Sequence, residues 1–149
     1  MRAAVVALVI GSTVLAGGAE ALRATAIFPS GAEFRLEVAA DSESRRLGYM
    51  YREQIGPREG MLFLFEETAP HGFWMKNCKV SLDLIWLDEA FRIVQIAYDQ
   101  PPCPEEGECP VLVPLKAARY VVEIAGGTAE REGLEAGNRL VILTEPPLR

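Results

Sequence analysis

The sequence predicts a mainly β domain, either a β-sandwich or a closed barrel, with one or two short helices. Three observations support this fold class. Short apolar or aromatic runs recur along the chain, and turn-forming residues separate them, with 13 glycines and 10 prolines among 149 residues. Only two short segments have helical signals. We find no internal repeat and no linker, so we expect a single domain.

Residues 1–21 predict a cleaved export signal. Arg2 gives the segment a positive start, residues 3–15 are uncharged and apolar, and an Ala-x-Ala cleavage pattern ends at residue 21. The apolar run of about 13 residues is shorter than the roughly 20 that cross a bilayer. An uncleaved anchor is the alternative. We therefore expect a single mature domain over residues 22–149, exported to the periplasm or the extracellular space.

Eight segments have the pattern of β-strands. In residues 32–38 the alternation is clean, because Phe34 and Leu36 share one face while Glu37 lies on the other. The remaining segments are mostly short apolar or aromatic runs bounded by glycine, proline or charge. The predicted strands are residues 25–28, 32–38, 61–65, 73–77, 82–87, 91–98, 120–124 and 140–143. The turn-like segment 88–90 predicts a hairpin between the fifth and the sixth strand.

Two short segments have helical signals. Asp41 or Ser42 can cap a helix over residues 42–50. Thr128 can cap a single helical turn that ends at Gly133. Both are short additions to a chain in which strand signals dominate.

The charge of the chain argues against some classes of partner. It has 15 lysines and arginines against 21 aspartates and glutamates, a formal net charge of −6, and no stripe of basic residues. Nucleic acids and anionic membrane surfaces attract basic proteins, so neither is an expected partner. No apolar stretch after the signal is long enough to cross a membrane, so we expect no membrane insertion of the mature protein.

The predicted export decides how the cysteines are interpreted. Cys103 and Cys109 lie at the two ends of a proline-rich, acidic loop. In an oxidising compartment, two cysteines placed in this way predict a disulfide. Cys78 is left over, and as a small buried hydrophobe it needs no role.

The sequence predicts no metal and no cofactor. His71 is the only histidine, and with three cysteines it equals a zinc ligand set in number, but the chain has no Cys-x-x-Cys pair. Export also favours oxidised thiols over zinc thiolates. Copper(I) on Met50, Met61, Met75 or Cys78 is an alternative, although scattered methionines are more often core residues.

A polar cluster in an apolar frame is the best candidate for a site. In a strand over residues 73–77, Trp74 and Lys76 share one face, so the lysine stem can lie across the indole ring. Asp83 lies in a strand that is apolar on both faces, where a buried carboxylate needs a partner. The candidate partners are Lys76, Arg52 and Arg119.

The predicted ligand-binding residues are Trp74, Lys76, Asn77, Asp83 and Arg52. The aromatic face would carry a sugar ring or a similar ligand, while the polar side chains bond its hydroxyl groups. The alternative is that Asp83 forms a structural ion pair among ordinary core residues. No catalytic residue is predicted, because a hydrolase would have to use Asp83, Lys76 or His71 and the chain has no Gly-x-Ser-x-Gly motif.

An ordered set of short motifs over nearly the whole mature chain resembles one protein family. The motifs are Leu47-Gly48-Tyr49-Met50-Tyr51-Arg52, Gly60-Met61-Leu62-Phe63, Phe73-Trp74-Met75-Lys76-Asn77, Leu82-Asp83-Leu84, Pro102-Cys103, Cys109-Pro110, Ala118-Arg119-Tyr120-Val121 and Gly137. On these residues the chain resembles the family called domain of unknown function 192. The resemblance implies a mostly β domain of sandwich or jelly-roll type and supplies no established activity. Cys78 and Asn138 differ from the family's usual threonine and aspartate.

Three functional hypotheses follow. The first is an exported, non-catalytic β domain that binds a small ligand, a glycan or an envelope component through the predicted binding residues. The second is a hydrolase of unidentified substrate. The third is a structural or partner protein of the cell envelope that uses the loop between Cys103 and Cys109 as its contact.

Overall fold

The structure is a computed structural model that describes residues 22–145, so the predicted signal at residues 1–21 lies outside the described residues. The strands are β1 (Arg23–Ile27), β2 (Glu33–Ala39), β3 (Glu59–Ala69), β4 (Phe73–Trp74), β5 (Leu82–Leu87), β6 (Ile93–Gln100), β7 (Val111–Leu112), β8 (Ala118–Ala125) and β9 (Val141–Glu145). The helices are α1 (Ser42–Leu47) and α2 (Thr128–Arg131). The predicted mainly β fold class is confirmed. No helix in the described part of the chain has the length and apolar character needed to cross a membrane.

Seven strands form one mixed sheet in the order β6-β5-β8-β3-β2-β1-β9, and β4 pairs with β7 in a small second sheet. Neighbouring strands of the large sheet are antiparallel except β2 and β3, which run parallel with Leu36 opposite Gly60. The predicted hairpin is present, because β5 and β6 pair antiparallel. Within residues 22–145 the strand order is linear with β6 and β9 at its ends, so the sheet is not a closed barrel.

The large sheet packs an apolar cluster on each face. Strand β5 is buried along its whole length, and its side chains alternate between the two faces. Ile85 and Leu87 pack with Phe34 in one cluster, which we call the first core. Trp86 packs with Phe63 in the other cluster, the second core. Burial of β5 on both faces confirms the expectation from its apolar sequence.

Asp41 begins helix α1, as one of its two predicted caps. The Asp41 carboxylate accepts hydrogen bonds from the backbone N–H groups of Glu43 and Ser44, both at 2.9 Å, and the Ser44 hydroxyl completes a capping box. The helix ends at Leu47 and not at the predicted residue 50. Gly48 ends it, because Gly48 has a φ of 44° and donates its N–H to the Ser44 carbonyl.

The aromatic segment at residues 73–77 forms a shorter strand than predicted. Only its first two residues form β4, whose partner β7 has no clear signal in the sequence. The chain then turns, because Asn77 has a φ of 57° and the Cys78 N–H donates to the Met75 carbonyl at 3.2 Å. The predicted alternation of faces therefore ends at Trp74, and the rest of the segment lies in a turn.

The predicted disulfide between Cys103 and Cys109 is present, and their Cα atoms are 5.4 Å apart. The Cys103 N–H donates to the Met75 carbonyl at 3.3 Å. The disulfide loop is therefore attached to the turn that follows β4.

Candidate functional site

Asp83 is fully buried and accepts hydrogen bonds from three backbone N–H groups. Its Oδ1 atom accepts from Asp99 at 2.7 Å and from Gly127 at 3.0 Å, and its Oδ2 atom accepts from Ala129 at 2.6 Å. Backbone donors can satisfy an ionised carboxylate without a side-chain cation. The sequence predicts that Asp83 is buried, but it does not predict that its partners are backbone N–H groups.

The predicted ion pair between Asp83 and a cation is therefore wrong. Arg52 instead bonds both carboxylate oxygens of Glu37, at 2.6 and 2.8 Å. Arg119 donates to the backbone carbonyl of Glu66. Main-chain N–H groups of β6 and of the start of α2 supply the donors, in place of the predicted arginine and lysine side chains.

Asp83 also caps helix α2, a role that the sequence analysis assigns to Thr128. The residue at the cap position is Gly127, with a φ of 74° and no side chain. The Thr128 hydroxyl accepts a hydrogen bond from Arg131 at 2.8 Å. The prediction for Thr128 is wrong, because the carboxylate from the neighbouring strand β5 reaches the free N–H groups of the helix first turn.

The structure brings Trp74 and Lys76 into contact, with the lysine Nζ 5.2 Å from the centre of the indole ring. Both side chains are exposed, Trp74 by 43%. Nearby, the Asn77 side-chain amide donates to the hydroxyl of Tyr51 at 2.8 Å. These residues lie together at the end of β4, beside the turn.

Asp83 does not belong to this group. Along β5 it shares a face with Ile85, which packs in the first core. Met75, which follows Trp74 directly, packs in the second core with Leu84. The large sheet therefore separates Asp83 from the aromatic segment.

A second buried carboxyl group, on Glu123 of β8, faces the second core. The residue is 4% exposed and lies between Met61 of β3 and Leu84 of β5 in the register of the sheet. Its Oε2 atom is buried and has no hydrogen-bond partner among residues 22–145. A buried acceptor without a donor is unfavourable, so a donor group on a bound molecule would stabilise this atom.

Burial raises the pKa of Glu123 to about 8, although the nearby charge of Arg52 acts to lower it. The Glu123 side chain is therefore mostly protonated at neutral pH. Burial also raises the pKa of the Cys78 thiol to about 11, and the carboxyl group of Glu123 adds to this effect. A thiol with such a pKa is a poor nucleophile at neutral pH.

Glu123 lines a small pocket between the end of α1 and the start of β4. The pocket has a volume of about 30 Å³, and roughly 10–15 Å³ holds one water-sized group. Aromatic rings form much of its wall. The lining includes Tyr49, Phe63, Phe73 and Trp74, the polar side chains of Cys78 and Glu123, and the arginines Arg45 and Arg46. We call this the Glu123 pocket.

Gly48 leaves room above the buried carboxyl group. A Cβ atom at this position would lie 3.3 Å from Cζ of Phe63 and 3.5 Å from Oε2 of Glu123. The φ of 44° at Gly48 is a conformation that favours glycine. Any larger residue would therefore be strained and would reduce the space beside the carboxyl group.

A larger groove of about 610 Å³ runs across β1, β2 and β9. Its lining includes exposed charged residues such as Arg35 and Glu59, and it borders Leu22 and Glu145, where the described residues end. None of the buried polar residues of the described chain lines it. The Glu123 pocket is therefore the stronger candidate, because it alone of the two presents a buried polar atom that lacks a partner.

Comparison with known proteins supplies the family. Residues 25–142 match DUF192, which is described as an uncharacterised ACR. This chain belongs to the DUF192 family. UPF0127 protein PH1112 of Pyrococcus horikoshii is 27% identical over 113 residues, which cover 72% of this chain and 87% of that protein. UPF0127 protein PF1050 of Pyrococcus furiosus is 30% identical over 117 residues, which cover 74% of this chain and 90% of that protein.

Two solved structures resemble this DUF192 domain. One, described as "a putative transcription regulator" from Sinorhizobium meliloti 1021, has a TM-score of 0.71 and 34% identity, and the match covers 80% of this chain and 92% of that chain. The other is a protein of unknown function from Novosphingobium aromaticivorans DSM 12444, with a TM-score of 0.71 and 32% identity over 80% of this chain and 83% of that chain.

In the DUF192 domain, His71 lies outside the Glu123 pocket. Its ring stacks on Phe65 with the two centroids 3.6 Å apart, and its Nε2 atom lies 2.9 Å from the carbonyl of Glu67. Its own carbonyl accepts a hydrogen bond from the Trp86 indole at 2.8 Å. In the described chain, no three histidine, cysteine, aspartate or glutamate side chains are grouped so that they could hold a metal ion.

Glu123 is the site residue that sequence reasoning missed. It lies in the predicted strand at residues 120–124, which is otherwise Tyr-Val-Val-Ile. A carboxyl group in a run that is apolar on both faces is the same signal that points to Asp83. The sequence does not indicate that β8 lies between β3 and β5, and this pairing is what places Glu123 below Gly48 and beside the aromatic segment.

Proposed function

We propose that this DUF192 domain is an exported, non-catalytic binding protein that takes a small ligand, a glycan or an envelope component at the Glu123 pocket. One observation carries the proposal. The buried Oε2 atom of Glu123 lacks a partner within the described chain, and Glu123 lines a pocket whose wall includes the exposed residue Trp74. A polar ligand group that enters such a pocket, with an apolar part resting on the indole, is a common arrangement in binding sites.

Binding is favoured over hydrolysis by the positions of the residues that a hydrolase would use. Asp83 is engaged by three backbone N–H groups on the other face of the sheet. The His71 ring packs on Phe65, away from the pocket. Lys76 lies over Trp74 in solvent. These three side chains are not assembled around one reacting group.

Export is supported by the signal pattern at residues 1–21 and by the disulfide between Cys103 and Cys109. Disulfides persist in oxidising compartments such as the periplasm. The expected partners are therefore small molecules, glycans or proteins of the envelope.

The Sinorhizobium structure is described as a putative transcription regulator, and this chain could share that role by binding nucleic acid. For this chain, the net charge of −6 does not favour the same role, because phosphate contacts require clustered lysine and arginine side chains. Small-ligand binding remains the function that the pocket supports best.

The test is the variant Trp74→Ala, screened against a panel of glycans and metabolites. Loss of binding with an unchanged fold supports the proposal, because Trp74 is 43% exposed and its removal from the pocket wall should leave the cores intact. Binding is measured by isothermal titration calorimetry and folding by circular dichroism.

The matched control is Tyr98→Ala, because Tyr98 is also 43% exposed and does not line the pocket. This control should bind like the wild type. If Trp74→Ala merely unfolds the domain, or binds every ligand of the panel as well as the wild type does, the proposed function is wrong.

A further inference from the structure

The Glu123 pocket offers a hydrogen-bond acceptor. The Oε2 atom of Glu123 is buried and has no partner among the described residues. A ligand group that complements the ionised form of this carboxyl group donates hydrogen bonds to it. An ammonium group carries three N–H donors and no acceptor, and charge-assisted hydrogen bonds to a carboxylate are stronger than neutral ones.

Aromatic rings around the carboxyl group also favour a cation. Tyr49, Phe63, Phe73 and Trp74 line the pocket, and the faces of aromatic rings attract positive charge. Two of these rings already have a cation nearby. Lys76 Nζ lies 5.2 Å from the centre of Trp74, and Arg52 Cζ lies 4.8 Å from the centre of Tyr49.

The volume of the pocket limits the size of the cation. About 30 Å³ holds roughly two water-sized groups. A primary ammonium group with its first methylene fits this space. A trimethylammonium group, which adds three methyl groups around the nitrogen, does not.

No arginine near the pocket is hydrogen-bonded to Glu123 in the described part of the chain. Arg45 donates to the carbonyls of Ala40, at 2.5 Å, and Leu64, at 2.9 Å. Arg52 is paired with Glu37. Arg46 is exposed to solvent, where salt screens its charge. None of the three is hydrogen-bonded to Glu123, so the carboxyl group remains open to a cation from outside.

An exposed apolar strip continues from the pocket. Trp74 pairs with Val111 between the two strands of the small sheet. Val111 and Val113 are 55% and 54% exposed, and both lie close to Gly72, which has no side chain to cover them. A hydrocarbon chain attached to a group in the pocket can rest on this strip.

From these contacts, and resting on the function proposed above, we propose that the Glu123 pocket binds a primary ammonium group carried on an apolar chain. The ammonium group donates to the Glu123 carboxylate between the aromatic rings, and the chain lies along Trp74 and Val111.

Proton release follows from this binding mode. The free carboxyl group is protonated at neutral pH, and the bound ammonium group favours its ionised form, so Glu123 loses a proton to solvent on binding. Other titratable or charged groups face the pocket or act on the carboxyl group from the packed elements. They are Arg45 and Arg46 of α1, Tyr49 and Arg52 after it, and Cys78 after β4.

The probe for the test is hexylammonium, titrated into the full chain and followed by isothermal titration calorimetry in buffers of different ionisation enthalpy. We expect saturable binding with proton release, and an affinity that rises from about pH 6 to about pH 8. Hexanol and hexanoate, which keep the chain and lack the cation, should bind at least about tenfold more weakly. Tighter binding of hexanoate than of hexylammonium would overturn the proposal.

Two variants distinguish binding at the Glu123 pocket from nonspecific binding elsewhere on the protein. Glu123→Gln removes the charge and keeps the shape, so we expect at least about tenfold weaker binding of hexylammonium and no proton release. Glu135→Gln, an exposed carboxylate that does not line the pocket, should bind like the wild type. Equal binding by wild type and Glu123→Gln overturns the proposal.

A primary ammonium group can come from a soluble amine or from a lipid headgroup, and vesicles distinguish the two. Binding to phosphatidylethanolamine vesicles but not to phosphatidylcholine vesicles identifies the lipid source. Binding of free hexylammonium without binding to either vesicle identifies a soluble source. Equal binding to both vesicles contradicts the size limit and overturns the proposal.

If another ligand binds in a Trp74-dependent way while hexylammonium does not, only this inference fails and the proposed function stands.

Discussion

The two buried carboxyl groups, on Asp83 and Glu123, differ in what surrounds them. Asp83 accepts three backbone hydrogen bonds, two of which hold the start of α2 against strand β5 while the third comes from Asp99 of β6. Glu123 has a buried oxygen without a partner in the described chain, and burial raises its pKa. The first group therefore stabilises the fold, and the second is available to a ligand.

Asp83→Asn should destabilise the domain by about 3 kcal/mol. An asparagine at this position replaces one acceptor oxygen by a donor amide, which leaves a buried backbone N–H unpaired, and each such group costs about 1–3 kcal/mol. The free energy of unfolding is measured by urea denaturation.

Asp41→Asn is the matched control for this prediction. Asp41 also accepts from backbone N–H groups at a helix start, but it is exposed. Asparagine caps helices as well as aspartate does, so the control should lose little stability. Equal losses in the two variants would show that the buried bonds of Asp83 are unimportant.

Glu123→Gln should change how stability depends on pH. The pKa of Glu123 rises from an ordinary 4.5 to about 8 on folding, so the folded state binds more protons than the unfolded state between these values. Stability conferred by the protonated carboxyl group is complete below about pH 4.5 and falls as pH rises to about 8, by an amount on the order of 4 kcal/mol. The glutamine variant does not titrate and should lack this slope.

The comparison is made by urea denaturation at about pH 5 and about pH 8. The variant and the wild type should be nearly equal at the lower pH, and the variant should be more stable at the higher pH. Carboxyl groups whose pKa is lowered on folding, such as Glu37 beside Arg52, contribute stability that is lost only as the pH falls below the ordinary pKa of a carboxyl group. Their effect therefore lies outside the range between the two measurements. Parallel pH profiles for the two proteins would be incompatible with a neutral buried Glu123.

For single residues, the sequence indicates that a carboxyl group is buried in an apolar strand, but it does not indicate the hydrogen-bond partners of that group. A carboxyl group in an apolar strand marks Asp83, and the same pattern marks Glu123. The partners of Asp83 are main-chain N–H groups of residues up to 46 positions away. No side-chain pattern reports where such groups lie, so an ion pair was the natural but wrong expectation.

At the scale of elements, the short sheet of β4 and β7 depends on the turn and the loop around it. The Met75 carbonyl accepts hydrogen bonds from the N–H groups of Cys78 and Cys103. The disulfide between Cys103 and Cys109 then closes the loop that leads into β7. The turn after β4, the disulfide loop and strand β7 are thereby held together beside the Glu123 pocket.

Replacing both Cys103 and Cys109 by serine should lower the free energy of unfolding by about 2 kcal/mol. The small closed loop restricts the unfolded chain, and this restriction is lost in the variant. Urea denaturation with and without a reductant measures the effect. The reductant should lower the wild type to the level of the variant and leave the variant unchanged. A variant as stable as the oxidised wild type would contradict the prediction.

Strand positions were largely predictable because apolar runs bounded by turn residues mark buried strands. The segment 82–87 coincides with β5, and the following turn gives the hairpin with β6. The end of β4 was not predictable, because the hydrogen bonds that turn the chain at Met75 come partly from the distant Cys103. Strand β7 has only two residues and no periodicity to detect.

At the scale of the whole molecule, the pairing of distant strands decides where the pocket forms. Strand β8 lies between β3 and β5, although residues 88–117 separate it from β5 along the chain. Alternation predicts which residues share a face of one strand, but not which strands become neighbours. The mainly β class therefore followed from the sequence, and the mixed sheet with one parallel pair did not.

The export proposal also belongs to the whole molecule. Expression of the full chain in a bacterium with a periplasm should yield a processed protein that begins near residue 22, because an Ala-x-Ala pattern ends at residue 21. The measurement is the intact mass of the protein recovered from the periplasmic fraction. A change of both small residues at positions 19 and 21 to lysine should block processing. Full-length protein in the cytoplasm would contradict the proposal.

The parallel pairing of β2 with β3 has a consequence for divergence among relatives. Two parallel neighbours need a crossover connection, and here that connection carries Gly48 and Tyr49, which form one side of the Glu123 pocket. Of the other connections, the one between β4 and β5 contacts this segment through the hydrogen bond from Asn77 to Tyr51. Substitutions or insertions in the crossover can therefore change the shape of the Glu123 pocket, and with it the molecule that the pocket binds, while the strands of the sheet stay in place. New specificities can then evolve without a new fold.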